Sequence, residues 1–104
     1  MTRLIVAAEH SAREYLAECF WPGVTEADLN DIDTRARESA EASATKGWAV
    51  SYIGSLLLPG DEVLFCFFEG PSAAAVEAVA KRAAIPFSRI LESISVPSRA
   101  RRMR

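Results

Sequence analysis

Apolar and polar positions along the 104-residue chain change period several times, and each change marks an element. Residues 14–21 are short and rich in aromatics, which suits a strand. Pro22-Gly23 ends it, because proline cannot donate to a ladder and glycine suits a turn. Thr25 then stands where an N-cap belongs, with Asp28 three residues on, close to a capping box. Leu29, Ile32, Ala36 and Ala40 follow at spacings of 3, 4 and 4, one face of a helix. Asp31 with Arg35 and Asp33 with Arg37 are i,i+4 pairs in the favourable acid-first order. Gly47 is placed to close that helix.

Residues 48–58 read as a second strand, with Trp48, Val50 and Tyr52 on one side. Pro59-Gly60-Asp61 makes the turn into a third strand over 63–68. That strand is apolar on both faces: Phe65 and Phe67 on one, Leu64, Cys66 and Phe68 on the other. After Gly70-Pro71, Ser72 can cap a helix whose stripe is Val76, Val79, Ala80 and Ala83, with Glu77 and Lys81 paired outside. Ile85-Pro86 stops it, and residues 87–96 form a fourth strand ended by Pro97.

The order β-α-β-β-α-β is the split βαβ plan of ferredoxin-like domains. Right-handed crossovers put both helices on one face of a four-stranded antiparallel sheet. The other face then has no cover, yet the third strand is too apolar to leave one side wet. A second copy of the chain is the simplest cover, so a homodimer is expected. Residues 13–97 form this domain, with an N-terminal extension over 1–12 and a basic tail over 98–104.

Composition adds limits. Half the residues are hydrophobic and a quarter charged, as in ordinary globular domains. Formal net charge is −2, but Arg99, Arg101, Arg102 and Arg104 concentrate positive charge at the tail. Residues 1–98 hold eight basic against fourteen acidic side chains, a net −6. That excludes an extended phosphate-binding face, so no nucleic-acid partner is expected. The arginine run reads as a solvated tail, dispensable for folding. Two cysteines are too few for a disulfide framework. The apolar run Leu4 to Ala8 is five residues, shorter than the roughly 7–15 of a signal h-region, and no stretch approaches a membrane span. A cytoplasmic protein without a membrane partner is the expectation.

Several segments resemble a bacterial domain family of largely unknown function that includes nickel-binding proteins with a dimeric ferredoxin-like fold. They are residues 15–25 (YLAECFWPGVT), 48–53 (WAVSYI), 65–73 (FCFFEGPSA) and 85–90 (IPFSRI). The likeness covers roughly residues 13–96, and 65–73 is its most specific part. It implies the fold, the dimer and nickel as a cofactor. Nickel prefers several imidazole ligands. The metal-binding members carry histidines where the first strand ends; here Phe20, Trp21 and Pro22 stand there, and the only histidine is His10. No metal ligands are therefore assigned, and nickel rests on the resemblance alone.

The remaining chemistry is sparse. Glu18 interrupts an apolar strand, which suits either a buried acid in a pocket or an exposed one paired with an arginine such as Arg89. Glu69 could join it, or simply end the third strand in solvent. Trp48 and Tyr52 could line a pocket with polar handles, or serve core and interface. Cys19 and Cys66, on neighbouring strands, read as a soft-metal or redox pair or as two small buried hydrophobes; with no CxxC and no nearby histidine, the second is favoured. There is no GxSxG, P-loop or GxGxxG. The expected function is a small-ligand or metal-binding module whose site draws on Glu18, Trp48, Tyr52, Cys66 and Glu69, with catalytic residues unknown. One alternative is a small cofactor-free enzyme of the dimeric α+β-barrel kind using Glu18 and Tyr52. Another is a structural or regulatory interaction domain.

Overall fold

The computed structural model describes residues 13–47 and 49–96. In chain order they form β1 (Arg13–Phe20), α1 (Glu26–Ala44), β2 (Ser51–Leu58), β3 (Val63–Gly70), α2 (Ala73–Arg82) and β4 (Arg89–Ser93). The four strands make one antiparallel sheet in the order β2-β3-β1-β4. Element order, sheet and helices match the ferredoxin-like expectation. The N-terminal extension, Trp48 and the arginine tail lie outside the described residues.

Local chemistry sets the helix ends. Thr25 Oγ1 accepts from the Asp28 N–H (3.1 Å) while an Asp28 carboxylate oxygen accepts from the Thr25 N–H (2.9 Å), a complete capping box. Ser72 caps α2 by accepting from the Ala75 N–H at 3.2 Å. The C-terminus of α2 is a Schellman motif. The Ala84 N–H donates to the Lys81 carbonyl and the Ile85 N–H to the Ala80 carbonyl, both at 3.0 Å. Ala84 sits at φ 59, a left-handed position usually held by glycine. The Arg35 guanidinium crosses from α1 to donate to the Ala83 and Ala84 carbonyls at 2.7 and 3.1 Å, closing that helix end.

All four strands have limits that differ from the sequence pattern: β2 starts only at Ser51 rather than at residue 48, and β3 runs on to Gly70. β1 ends at Phe20; the Trp21 N–H still donates in register to the Glu62 carbonyl at 2.8 Å, but Pro22-Gly23 and the left-handed Glu62 (φ 56) turn the two chains away. β4 covers only Arg89–Ser93. Before it, Phe87 closes a tight turn onto Ile85, and the Ser88 N–H reaches the Glu18 carbonyl at 2.7 Å. After Ser93, which pairs with Glu14, β1 has almost run out and cannot extend the ladder. In β2, Ile53 is an extra residue in the register with β3, which shifts between Tyr52 and Gly54.

The helices cover one face of the sheet. Ile32, Ala36 and Ala40 of α1 and Val76, Val79 and Ala80 of α2 pack on Tyr15, Ala17 and Cys19 of β1 and Leu64, Cys66 and Phe68 of β3. Small residues allow the helices to approach closely: the buried Ser39 hydroxyl donates to the Val79 carbonyl at 2.8 Å. A Cβ added at Gly70 would stand 3.1 Å from Val76 Cγ2 and 3.2 Å from Val50 Cγ2, so the end of β3 admits only glycine without a shift.

Candidate functional site

Strand parity decides which side chains can meet. On β1 the helices take Tyr15, Ala17 and Cys19, leaving Glu14, Leu16, Glu18 and Phe20 on the open face. Cross-strand partners share a face, so Val63, Phe65, Phe67 and Glu69 of β3 join them, with Arg89, Leu91 and Ser93 of β4. Leu56 and Leu58 of β2 extend this surface as partners of Phe65 and Val63. No described element lies over it. Phe20 is 62% exposed, Ile53 58% and Leu56 49%, an apolar surface of a kind that marks an interaction site.

The expected site residues divide between the two faces. Glu18 is on the open face, where one carboxylate oxygen accepts from Arg89 Nε at 2.6 Å. Glu69 is on that face too but pairs with Glu14, while Glu18 pairs with Phe65. Four strand positions, roughly 13 Å, separate the two acids. Tyr52 and Cys66 are on the helix-covered face. The Tyr52 ring packs against Phe68 with centroids 5.3 Å apart, and Cys66 is fully buried. The pair Glu18 and Tyr52, proposed for an enzyme, is thus split by the sheet itself. Trp48 lies outside the described residues.

Two partners emerge that the sequence reading passed over. Glu14 stands directly opposite Glu69 on the open face. Like charges so placed are unfavourable across a ladder. Beside them a hollow of about 200 Å³ is lined by Glu14, Ile53, Phe67, Glu69, Ser93 and Ser95. The Ser95 hydroxyl donates to Glu14 at 2.7 Å. The signal for Glu14 was its four-residue spacing from Glu18, which puts both acids on one strand face.

On the covered face the two thiols and the Tyr52 hydroxyl are buried, while Ser55 is exposed. Among the described residues the Tyr52 hydroxyl has no well-formed hydrogen bond, although the Ser55 side chain lies near it. Burial pushes its phenol up to about 12, and the nearby Ser55 side chain offsets this only in part. Cys19 and Cys66 are free thiols on one face of adjacent strands and in electrostatic contact. That contact, and then burial, pushes the Cys66 thiol up; the same contact favours ionisation at Cys19. Another depression, about 330 Å³, lies outside the sheet between the helices, but its Arg35 is committed to the α2 carbonyls. No helix among the described residues is long and apolar enough to cross a membrane.

Comparison with known proteins bears on this arrangement. The crystal structure of SCO4226 from Streptomyces coelicolor A3(2) superposes with a TM-score of 0.63 at 22% identity, covering 81% of this chain and 99% of the other, which shows a shared fold. Comparison with curated proteins gave no match. Residues 15–92 match the family described as nickel responsive protein SCO4226-like. The chain belongs to that SCO4226-like family.

Proposed function

We propose that the chain is a non-catalytic binding module that works as a homodimer, with its ligand site where the open sheet faces of two copies meet. The observation that carries this reading is the open face itself. Leu16, Phe20, Leu56, Leu58, Phe65 and Phe67 form one apolar surface with no described element above it. Burying a large apolar side chain stabilises by ~1.5–3 kcal/mol. A handful of such residues on each copy exceeds the low end of the ~4–15 kcal/mol cost of association. The hollow beside Glu14 and Glu69 sits on the same face, so a second copy would close it into a chamber. At about 200 Å³ it is smaller than the ~300–1,000 Å³ sites of drug-sized molecules, which suits a small ligand.

Membership of a nickel-responsive family makes a metal the first ligand to consider. The residues do not fit nickel. Among the described residues no group of three His, Cys, Asp or Glu converges on one point. Phe20, Trp21 and Pro22 offer no imidazole at the end of β1, and the open-face donors are carboxylates and hydroxyls, harder than nickel favours. Glu14→Gln/Glu69→Gln in the full chain tests the chamber. A small-molecule thermal-shift screen should yield ligands that stabilise the native chain and not this double variant. Equal stabilisation of both would move the site elsewhere.

A further inference from the structure

Beneath the helices the sheet holds chemistry that the open-face reading does not use. Cys19 on β1 and Cys66 on β3 are both fully buried free thiols. In the β1–β3 ladder Cys66 pairs with Ala17 and Cys19 with Leu64, so the two cysteines are diagonal neighbours on one face. Diagonal neighbours stand roughly 7–8 Å apart at Cα and somewhat less at Cβ. A disulfide wants Cβ atoms about 3.5–4.5 Å apart, which this placement does not suit. A bridging ion suits it better: two metal–sulfur bonds of roughly 2.3 Å, in line, set the sulfurs about 4.6 Å apart.

A separate observation falls at the same place. The Tyr52 hydroxyl is buried and, among the described residues, makes no well-formed hydrogen bond, although buried polar atoms nearly always find one. Tyr52 lies on the same face of β2, three positions before Ser55, which is the direct partner of Cys66. The phenol is close enough to feel a charge on Cys66. The Ser55 side chain is another polar neighbour.

We propose that Cys19 and Cys66 form a two-coordinate site for a soft monovalent d¹⁰ cation, Cu(I), with the Tyr52 hydroxyl as a donor to the bound thiolates. Thiolate sulfur selects Cu(I) among available metals. An ion content with two ligands in line fits a site where, among the described residues, no third His, Cys, Asp or Glu converges, whereas zinc would want four. On binding, two S–H bonds break, two S–Cu bonds form and two protons leave to solvent. The resulting unit carries one negative charge in an apolar core, which a hydrogen bond from the Tyr52 O–H would offset. The site lies on the opposite side of the sheet from the proposed chamber and does not depend on dimer formation.

The test is titration of the reduced full-length protein with Cu(I), without oxygen, in competition with a chromogenic Cu(I) chelator. One Cu(I) retained per chain, with two sulfur neighbours by X-ray absorption, is the expected result. Cys66→Ala keeps a small apolar side chain in the core and should lose the ion. Tyr52→Phe should retain the stoichiometry but weaken binding by about tenfold or more, the usual worth of a hydrogen bond to a charged group. No retained Cu(I) in the native chain, or undiminished binding in Cys66→Ala, would overturn the proposal. Should Cys66→Ala fail to fold, the native titration and its sulfur count still decide. Unchanged affinity in Tyr52→Phe would overturn the part assigned to the phenol.

Discussion

Arg89 Nε donates to a Glu18 carboxylate oxygen at 2.6 Å across the β1–β4 ladder, on the face the helices leave open. In a single chain this pair is largely wet, with Arg89 62% exposed at its side chain. Exposed pairs contribute only about 0.2–1 kcal/mol. Under a second copy the same pair would be desolvated, and removing one partner would leave a buried charge, a loss of about 3–5 kcal/mol. Glu18→Ala should therefore shift the dimer–monomer equilibrium far more than it lowers the stability of the monomer. Sedimentation at a series of dilutions, beside urea unfolding at low concentration, separates the two. Equal small effects would argue that the pair stays in water.

Ala84 offers a stabilising change. Its φ of 59 strains any side chain, and the Schellman hydrogen bonds around it keep it there. Ala84→Gly should stabilise by about 0.5–1 kcal/mol, the strain relieved less the entropy that glycine loses on folding. A higher urea midpoint at unchanged slope is the expected reading. A lower midpoint would show that the Ala84 methyl makes contacts worth more than the strain.

Tyr52 makes stability depend on alkaline pH. Its folded phenol is raised to about 12, above the ordinary value of 10. The unfolded chain then loses this proton first, so the stabilisation is complete below pH 10 and is lost as pH rises from there through the folded value. Tyr52→Phe should lessen this dependence, the raised Cys66 thiol leaving an alkaline loss of its own, and at neutral pH it should cost little because no described residue makes a well-formed hydrogen bond to the hydroxyl. Thermal midpoints at pH 8 and at about pH 11 test both statements. A parallel alkaline loss in Tyr52→Phe would assign the dependence to another group.

Nickel should bind weakly. The lone imidazole of His10 cannot make a multi-imidazole site, and two thiols alone fall short of the several ligands nickel takes. Isothermal titration at neutral pH should show no saturable site tighter than ~10 μM. A stoichiometric sub-micromolar isotherm that vanishes in His10→Ala would contradict this.

Much of the fold is written in local chemistry, and so was legible. Thr25 with Asp28, Ser72, and the pairs Asp31–Arg35, Asp33–Arg37 and Glu77–Lys81 all stand as their spacing predicts. The two-sided apolar pattern of β3 correctly marked a strand with apolar side chains on both faces. What could not be read was which parity the helices would take, because Leu64, Cys66 and Phe68 are no more apolar than Phe65 and Phe67. That choice put Glu18 and Tyr52 on opposite faces. The pairing of Glu14 with Glu69 depends on β1–β3 register, which no local pattern encodes. The left-handed Ala84 was hidden for a different reason: alanine carries no turn signal, and the conformation is imposed by its hydrogen bonds and by Arg35.

The open face as a dimer interface is most directly tested by light scattering after gel filtration at micromolar concentration. The native chain should elute as one species of twice its 11.3 kDa mass. Leu56→Lys, on the open face, should give a folded monomer. Leu64→Lys, on the helix-covered face, should unfold the chain. A monodisperse native mass near 11.3 kDa would contradict the account and leave Phe65 and Phe67 without the cover proposed for them.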